Sequence, residues 1–489
     1  MVLPRRDFVE RALALAATAL ARGPIATAAE PPAPTPRATD GRIRVAVIGV
    51  NGQGSAHLGE LLKIPGAEVV AICDCDPGAY DRAMQKHFAK EGGGRRPEHV
   101  QDIRRLLDRR DVDAVTIATP NHWHALAAVW AMQAGKDVYV EKPCSHNVRE
   151  GRVMTDWARK LGRICQMGVQ SRSMTGMRQT LDFVRGGKIG PVKVAHALCY
   201  KRRKSIGHTD TPAPLPAGLD FDLWAGPAPK AIPVRQRLHY DWHWTHVTGN
   251  GDLGNQNPHE LDKARWGLDK HELPKRVVSL GGRLGYIDNG DVANSQVTIF
   301  QWDDATLISD VRGLELKTPV DFGLAAGRLG VANIWWGTEG YVVAPNYSSG
   351  VAFDHDGHEL GKWSGGEYKA HFANFLDAVR SRRHADLHLD IEEGHLSSAL
   401  AHLGNVSWAL GAPVDPGTRP ALAADEPRVR ATWESFEKHL GEQQIDYTAT
   451  KLILGRELVI DPATERADDA EANALFTREY RTGFELPVA

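Results

Sequence analysis

Two short stretches of this chain combine residue types and spacing that suit chemistry. The first is Gly49-Val-Asn-Gly-Gln-Gly54, a loop almost free of side-chain bulk, with Asp74 twenty-five residues after Gly49. A pyrophosphate needs close backbone approach and N–H donors at a helix N-terminus, and such a loop offers both. A carboxylate at the end of the following strand is placed to bond the ribose hydroxyls of a dinucleotide. The second stretch is Glu141-Lys142-Pro143, which closes an apolar run. An ammonium there would orient a hydroxyl and lower the cost of a developing alkoxide.

The surrounding sequence predicts elements that would position these residues. Residues 44–50 form a β-branched apolar run and read as a buried strand, 55–64 as a helix ended by Pro65-Gly66, and 67–73 as a second strand. Together they make one βαβ unit. Residues 112–118 read as another strand, followed by Thr119-Pro120-Asn121-His122-Trp123-His124 and a helix to 134, and then by a strand over 136–141. Ligands of open α/β sheets bind at C-terminal strand ends. Lys142 is thereby expected at the redox end of the cofactor. Gly49, Asn51, Gly52, Gln53, Gly54, Asp74, Thr119, Pro120, Asn121, His124 and Glu141 are expected to line its binding site. The loop departs from G-x-G-x-x-G in that Asn51 stands at the second glycine and Gly52 is additional. Asn tolerates the left-handed backbone such a turn uses. Asp76 beside Asp74 would repel a 2′-phosphate, so the expected cofactor is NAD rather than NADP.

With these residues in place, the chain resembles the glucose–fructose oxidoreductase / inositol dehydrogenase / MocA (Gfo/Idh/MocA) family. The resemblance rests on Ala46-Val-Ile-Gly49 with its loop, Ala118-Thr-Pro-Asn121 with His124, Glu141-Lys142-Pro143, and Gly249-Asn-Gly-Asp-Leu-Gly-Asn-Gln-Asn-Pro-His259, and covers about residues 42–411. It implies an α/β fold: a Rossmann domain, then an α+β domain with a large open, mostly antiparallel sheet. That sheet would supply the sugar site and a homo-oligomer interface. It also implies that Lys142 reaches both nicotinamide ribose and substrate, and that His259 is the general acid/base. The family commonly carries Asp four residues before the His, where this chain has Asn255; the nearest upstream Asp is Asp252. Either Asn255 fills that place or Asp252 reaches in by another path. The variant stretch is more similar to a branch that includes NAD-dependent N-acetylgalactosaminidases.

In the second half, strands are expected at 192–200, 275–281, 295–302 and 305–311, helices at 368–380 and 394–410, and a turn at 337–340. Gln170 and Arg172 follow a strand over 163–169 and are expected to reach cofactor or substrate. Asp262, three residues after His259, either orients it or caps a helix. The segment His239-Tyr-Asp-Trp-His-Trp-Thr-His246 could hold a metal through its three histidines, pack structurally, or line a sugar cleft. The last is adopted, with Tyr240, Trp242 and His243 against substrate and no metal assigned.

Composition bounds the partners. The 489 residues carry 59 Lys+Arg against 61 Asp+Glu, a net charge of -2, which gives no general attraction to nucleic acid or anionic membrane. The five cysteines (73, 75, 144, 165 and 199) form no metal or disulfide framework and read as buried small hydrophobes. Arg5-Arg6-Asp7-Phe8-Val9, the apolar run 12–20 and Ala26-Thr27-Ala28 resemble a twin-arginine export signal and its cleavage site, too short to span a bilayer. The expected layout is an export signal at 1–29, a Pro-rich linker at 30–41, an NAD-binding domain at 42–165, a substrate and oligomerisation domain at 166–411, and an extension at 412–489 packing over a neighbouring subunit.

An exported, periplasmic enzyme cannot exchange NAD with a cytoplasmic pool, so the cofactor is expected to be bound tightly and recycled in place. The first reading is an oxidoreductase acting on a sugar, glycoside or polyol hydroxyl. The second is a redox-neutral NAD-dependent glycosidase, in which transient oxidation acidifies a neighbouring C–H and elimination follows. The third is a sugar-binding protein without catalysis.

Overall fold

The computed structural model describes residues 41–89, 96–320, 322, 324 and 329–489. The export signal and nearly all of the linker lie outside the described residues. The first domain contains β1 (Ile43–Ile48), α1 (Gln53–Leu61), β2 (Ala67–Cys73), α2 (Pro77–Phe88), β3 (Glu98–Val100), α3 (Ile103–Leu107), β4 (Ala114–Ile117), α4 (Asn121–Gln133), β5 (Asp137–Glu141), α5 (Val148–Lys160) and β6 (Cys165–Gly168). Its six strands are parallel in the order β3-β2-β1-β4-β5-β6. This is the doubly wound arrangement of a Rossmann domain. Val45, Val47 and Ile72 face one buried layer, and Ala46, Ile48 and Ala71 the other. Helices cover both faces, which is why these strands are apolar throughout.

The second domain continues with α6 (Thr175–Arg185), β7 (Val192–Tyr200), α7 (Phe221–Ala225), α8 (Pro258–Gly267), β8 (Arg276–Gly282), β9 (Ser295–Gln301), β10 (Thr306–Arg312), β11 (Val331–Gly337), β12 (Gly340–Ala344), β13 (Ser349–Asp354), β14 (Glu359–Ser364), α9 (Lys369–Ser381) and α10 (Ile391–Ala409). The extension adds β15 (Ala412–Pro413), α11 (Pro427–Glu442), β16 (Ile453–Leu454), β17 (Leu458–Asp461), β18 (Arg466–Ala467) and α12 (Ala470–Leu475). The second sheet follows the path β14-β13-β12-β11-β7-β10-β9-β8-β16-β15. It is antiparallel except for β7 beside β10. Residues 337–340 form the β11–β12 turn, as expected.

Alternation along β7 shows why both faces of this sheet are covered. Ala195, Ala197 and Cys199 pack with α6, α8 and α10; Val194, Leu198 and Tyr200 pack on the opposite side. There they meet Val429, Trp433, Phe436 and Leu440 of α11. The extension therefore packs on the sheet of its own chain. Its α11 occupies the sheet face that the family resemblance assigned to oligomer contact.

The last residues return to the Rossmann domain. Phe484 packs edge-on against Trp123, with ring centroids 5.6 Å apart, and lies 6.0 Å from Trp130. Arg481 donates to Asp222 and to the carbonyl of Gly226, and the Trp157 indole donates to the carbonyl of Pro487. All five cysteines are free, and four are buried. No helix among the described residues is long and apolar enough to cross a membrane. Phe484 is 4% exposed, so Phe484→Ala should lose about 3 kcal/mol of stability. Urea denaturation will show this as a lowered midpoint; a wild-type midpoint would contradict the anchoring role of the tail.

Candidate active site

The glycine loop bridges β1 and α1 at the C-terminal edge of the first sheet. Gly49 adopts φ +80°, a left-handed conformation, and a Cβ there would lie 2.9 Å from the Ala118 carbonyl oxygen. A Cβ on Gly54 would lie 1.7 Å from the carbonyl oxygen of Gly49, so the first turn of α1 can pack here only without a side chain. A Cβ on Gly52, by contrast, would meet no protein atom within 4 Å. The loop is thus packed closely behind and open in front, the shape a pyrophosphate cradle requires; Ser55 N–H already donates to the Gly52 carbonyl, which leaves the N–H groups of Gln53 and Gly54 at the start of α1 for a ligand.

A cleft of about 420 Å³ runs across this edge. Gly49, Asn51, Gly52, Gln53, Asp74, Thr119, Pro120, Asn121, His124, Glu141, Lys142, Tyr240, Trp242 and Asn255 all line it, as expected. The remaining expected residues do not. Gly54 sits beneath the loop, and Gln170, Arg172, His243 and His259 lie behind the surface. Trp123, Leu223 and Trp224 also line the cleft and were not anticipated; His239, from the segment expected to line a sugar cleft, lines it as well. Aromatic density was the only sequence signal for the two tryptophans.

Several of these lining residues also hold the site together. Asp74 accepts from the backbone N–H groups of Val50 and Asp76, at 2.8 and 3.0 Å, and so fixes the glycine loop. Burial raises its pKa, while those two N–H groups act to lower it. Asp76 is 2% exposed, caps α2 through Gly78 N, and lies 3.1 Å from His239 Nε2. Glu141 is the anchor of the floor. Its Oε1 lies 3.0 Å from His57 Nε2 and accepts from Gln53 and, at 3.4 Å, from Gln170. Burial alone would raise its carboxyl, but His57, together with Lys142 and His259, outweighs it and the pKa falls to about 2. Both His124 ring nitrogens lie near carbonyls, those of Pro143 and Thr119, so it staples two loops.

Arg172 is a correction. It does not reach cofactor or substrate: it pairs twice with Asp262, at 2.8 and 2.9 Å, and its guanidinium lies over Trp266. A buried guanidinium must be paired, and Asp262 is fully buried beside it. Asp262 consequently neither orients His259 nor caps a helix. His243 is also corrected. It is buried, with Nδ1 on the carbonyl of Tyr240, and cannot contact substrate without rearrangement. The three histidines expected as an alternative metal set face different partners: Asp76 for His239, Tyr240 for His243, and His146 beside the carbonyl of His246.

Lys142 emerges from β5, and its Nζ donates to the carbonyl of Asn255 at 2.7 Å. This settles the departure at Asn255: its main chain holds the lysine, while Asp252 is taken by two 2.7 Å bonds from Arg203. His259 stands on the first turn of α8, four residues after Asn255. Gly267 lets α8 approach the sheet, because a Cβ there would lie 2.1 Å from Trp335 Nε1. Neither His259 ring nitrogen has a hydrogen-bond partner among the described residues, and its ring lies 4.8 Å from that of Tyr347. Burial first, and then the Lys142 ammonium, push its pKa well below the usual imidazole value. Burial also lowers Lys142, against the pull of Glu141 and Glu260. The pair therefore offers a neutral imidazole able to accept a proton beside an ammonium able to steady an oxyanion.

A Rossmann cradle whose β5 delivers Lys142, facing a helix of the second domain that carries His259, defines a dinucleotide-binding architecture. Residues 43–169 match the Gfo/Idh/MocA model, the oxidoreductase family with an NAD-binding Rossmann fold. The chain is 34% identical over 154 residues to an alpha-N-acetylgalactosaminidase of Shewanella oneidensis, covering 30% of this chain and 33% of that protein. It is likewise 34% identical over 152 residues to a glycosyl hydrolase family 109 protein of Shewanella pealeana, again covering 30% and 33%. The chain thus spans about a third of the length of the curated relatives it matches. Among solved structures, the WlbA dehydrogenase of Bordetella pertussis in complex with NADH and UDP-GlcNAcA matches with a TM-score of 0.54 at 17% identity, over 74% of this chain and 94% of that one. Levoglucosan dehydrogenase in complex with NADH and levoglucosan gives 0.54 at 18%, over 74% and 95%. Both establish the shared fold.

The open face of Gly52 yields a test. Gly52→Ala should leave the protein folded, because the added methyl meets no protein atom, yet weaken NAD at least about tenfold by filling the cradle. Fluorescence titration with NAD, alongside circular dichroism, will check this; unchanged affinity would contradict the cradle.

Proposed function

We propose that this protein is an NAD-dependent oxidoreductase acting on a hydroxyl of a sugar, glycoside or polyol, with the cofactor resident and recycled in place. The observation that carries the reading is Lys142 at the end of β5, hydrogen-bonded to Asn255 one turn before His259 and at the border of the glycine-lined cleft. Gly49, Gly52 and Gln53 would hold the pyrophosphate, and Asp74 shapes the adenosine end. Bound NAD would supply the two-electron redox chemistry at carbon. Lys142 would orient the reacting hydroxyl and stabilise negative charge on its oxygen, and neutral His259 would take the proton. Trp224, Tyr240 and Trp242 cover the cleft and would limit water and cofactor escape. The twin-arginine-like sequence supports export to the periplasm, where a retained cofactor is needed. The expected homo-oligomer would have to use surface outside the area that α11 covers.

A second reading, a redox-neutral glycosidase, is favoured by the curated relatives, which are glycosyl hydrolase family 109 proteins. The same Lys142 and His259 would serve it. Purified protein should release nucleotide on denaturation. Reduced nicotinamide absorbance building up on a panel of glycosides and polyols supports the dehydrogenase; aglycone release without net reduction supports the glycosidase. Protein that carries no nucleotide and binds none when it is added overturns both.

The shifts set a pH profile. His259 must be neutral, and its depressed pKa keeps it so down through pH 6.5, so the acid limb should fall below 6.5. Lys142 must be charged, and its lowered pKa places the alkaline limb below 10.5. Lys142→Met should cut turnover by about 10²–10⁴ and remove the alkaline limb, with NAD still bound. A retained alkaline limb in that variant would assign it to another group.

A further inference from the structure

Beside His259, a run of polar contacts lies outside the dinucleotide cleft and has no part in the chemistry proposed above. Gln256 Nε2 donates to the Tyr347 hydroxyl at 2.5 Å, and Gln256 Oε1 accepts from Lys201 Nζ at 3.1 Å. The Tyr347 ring lies 4.8 Å from the imidazole of His259, at 37°. Lys201 is the first residue after β7 and is exposed; Tyr347 sits half-buried in the β12–β13 loop. Lys201, Gln256, Tyr347 and His259 thus form one continuous row, joined from a strand end, the first turn of α8 and a hairpin loop.

The charges around this row do not balance. Asp252 is held by Arg203 at 2.7 Å. Glu260 lies 3.6 Å from Lys263, both fully buried, and Asp262 is paired with Arg172. Glu141 lies against His57. Asp252 and Asp262 therefore have their own guanidinium partners, while Glu141 faces an imidazole and neither oxygen of Glu260 has a hydrogen-bond partner among the described residues. Lys142 and Lys201 do not share in this: their ammonium groups end on the neutral oxygens of Asn255 and Gln256, consecutive in the chain, and neither has an acidic group within 4.0 Å among the described residues. Lys142 still feels Glu141, Glu260 and Asp252 at longer range, whereas Lys201 is exposed and bonded only to an amide oxygen, and such an ammonium favours an anion.

We propose that Lys201, Gln256 and Tyr347 form a substrate subsite for a sugar bearing an anionic group, with the sugar ring against Tyr347 and the anion on Lys201. This rests on the carbohydrate reading above and narrows it to acidic sugars. A carboxylate and a sulfate or phosphate ester share the required chemistry. The ring of Tyr347, with Lys263 Nζ 5.2 Å from its centroid, would supply the aromatic contact for the sugar ring.

Calorimetry on the NAD-loaded protein with matched pairs tests it: methyl glucuronoside against methyl glucoside, and glucose 6-sulfate and glucose 6-phosphate against glucose, with the galacto counterparts of each. In at least one pair the acidic member should bind at least tenfold tighter at low salt, and the gap should shrink as ionic strength rises. Lys201→Ala should abolish the gap while sparing the neutral member. Tyr347→Ala should weaken both members alike. The arm that shows the preference identifies carboxylate, sulfate or phosphate. Equal binding in every pair, or a preference that survives Lys201→Ala, overturns the anionic subsite and leaves the carbohydrate reading standing. Failure to bind any member of any pair overturns both.

Discussion

The geometry of the site depends on one buried carboxylate. Glu141 is 4% exposed, and an ionised group in that position is tolerated only if its oxygens are satisfied. His57 and Gln53 reach it from α1, and Gln170 from the turn after β6. Gly168 makes the space, because a Cβ there would lie 2.8 Å from Glu141 Oε1. Tyr368, just ahead of α9, joins through Gln53 and Gln170 and ties the second domain to the same point. The residue after Glu141 is Lys142. The cluster that satisfies one buried charge therefore also fixes the glycine loop's helix, the end of β5 and the domain junction relative to Lys142.

The second domain completes this frame from the other side. Asn333 of β11 donates to the Glu260 carbonyl, and Trp335 to that of Ala264, which seats α8 on the sheet. His259 is thereby held at the start of a helix whose own position is set by a strand more than seventy residues away. The segment between β7 and α8 crosses the adenosine end of the cleft: Asp220 N donates to the Cys75 carbonyl, and Gln101 donates to that of Gly218. The tail holds this segment in turn through Arg481 and, by a bond to the carbonyl of Val247, Arg478. This segment and the tail thereby brace one side of the cleft.

Much of the first domain was legible because its strands are unbroken β-branched runs bounded by Gly or Pro; the strands at 67–73 and 192–200 match the observed β2 and β7 residue for residue. The hairpins β11 to β14 were missed. Their strands mix Trp, Gly, Asn and Lys, and their outer residues follow no clean alternation. In α11 the spacing of Val429, Trp433, Phe436 and Leu440 is helical and could have been read as a packing face; the charged residues between them concealed it. At the site, the cofactor-side residues were legible from local spacing. Arg172 was not, because its partner Asp262 lies ninety positions on, and only the fold reveals that the pair neutralises itself. Lys201, Gln256 and Tyr347 were likewise invisible, being joined only by tertiary structure.

Asn255 illustrates how one substitution propagates. Where the resembling family commonly has Asp, this chain presents a neutral side chain and uses the main-chain carbonyl to hold Lys142. A carboxylate at that point would cancel part of the charge of Lys142 and raise the proton affinity of His259. Its absence leaves the ammonium to act on His259 unopposed from that position, which is one cause of the depressed imidazole pKa. Asp252, three residues earlier, acts on Lys142 only at longer range, because both of its oxygens are bonded to Arg203. The chain thus keeps Lys142 and His259 together without an acidic side chain at position 255, and the counter-charge on Lys142 comes from Glu141, Glu260 and Asp252. An anionic group on a substrate would add to that counter-charge and raise the proton affinity of His259.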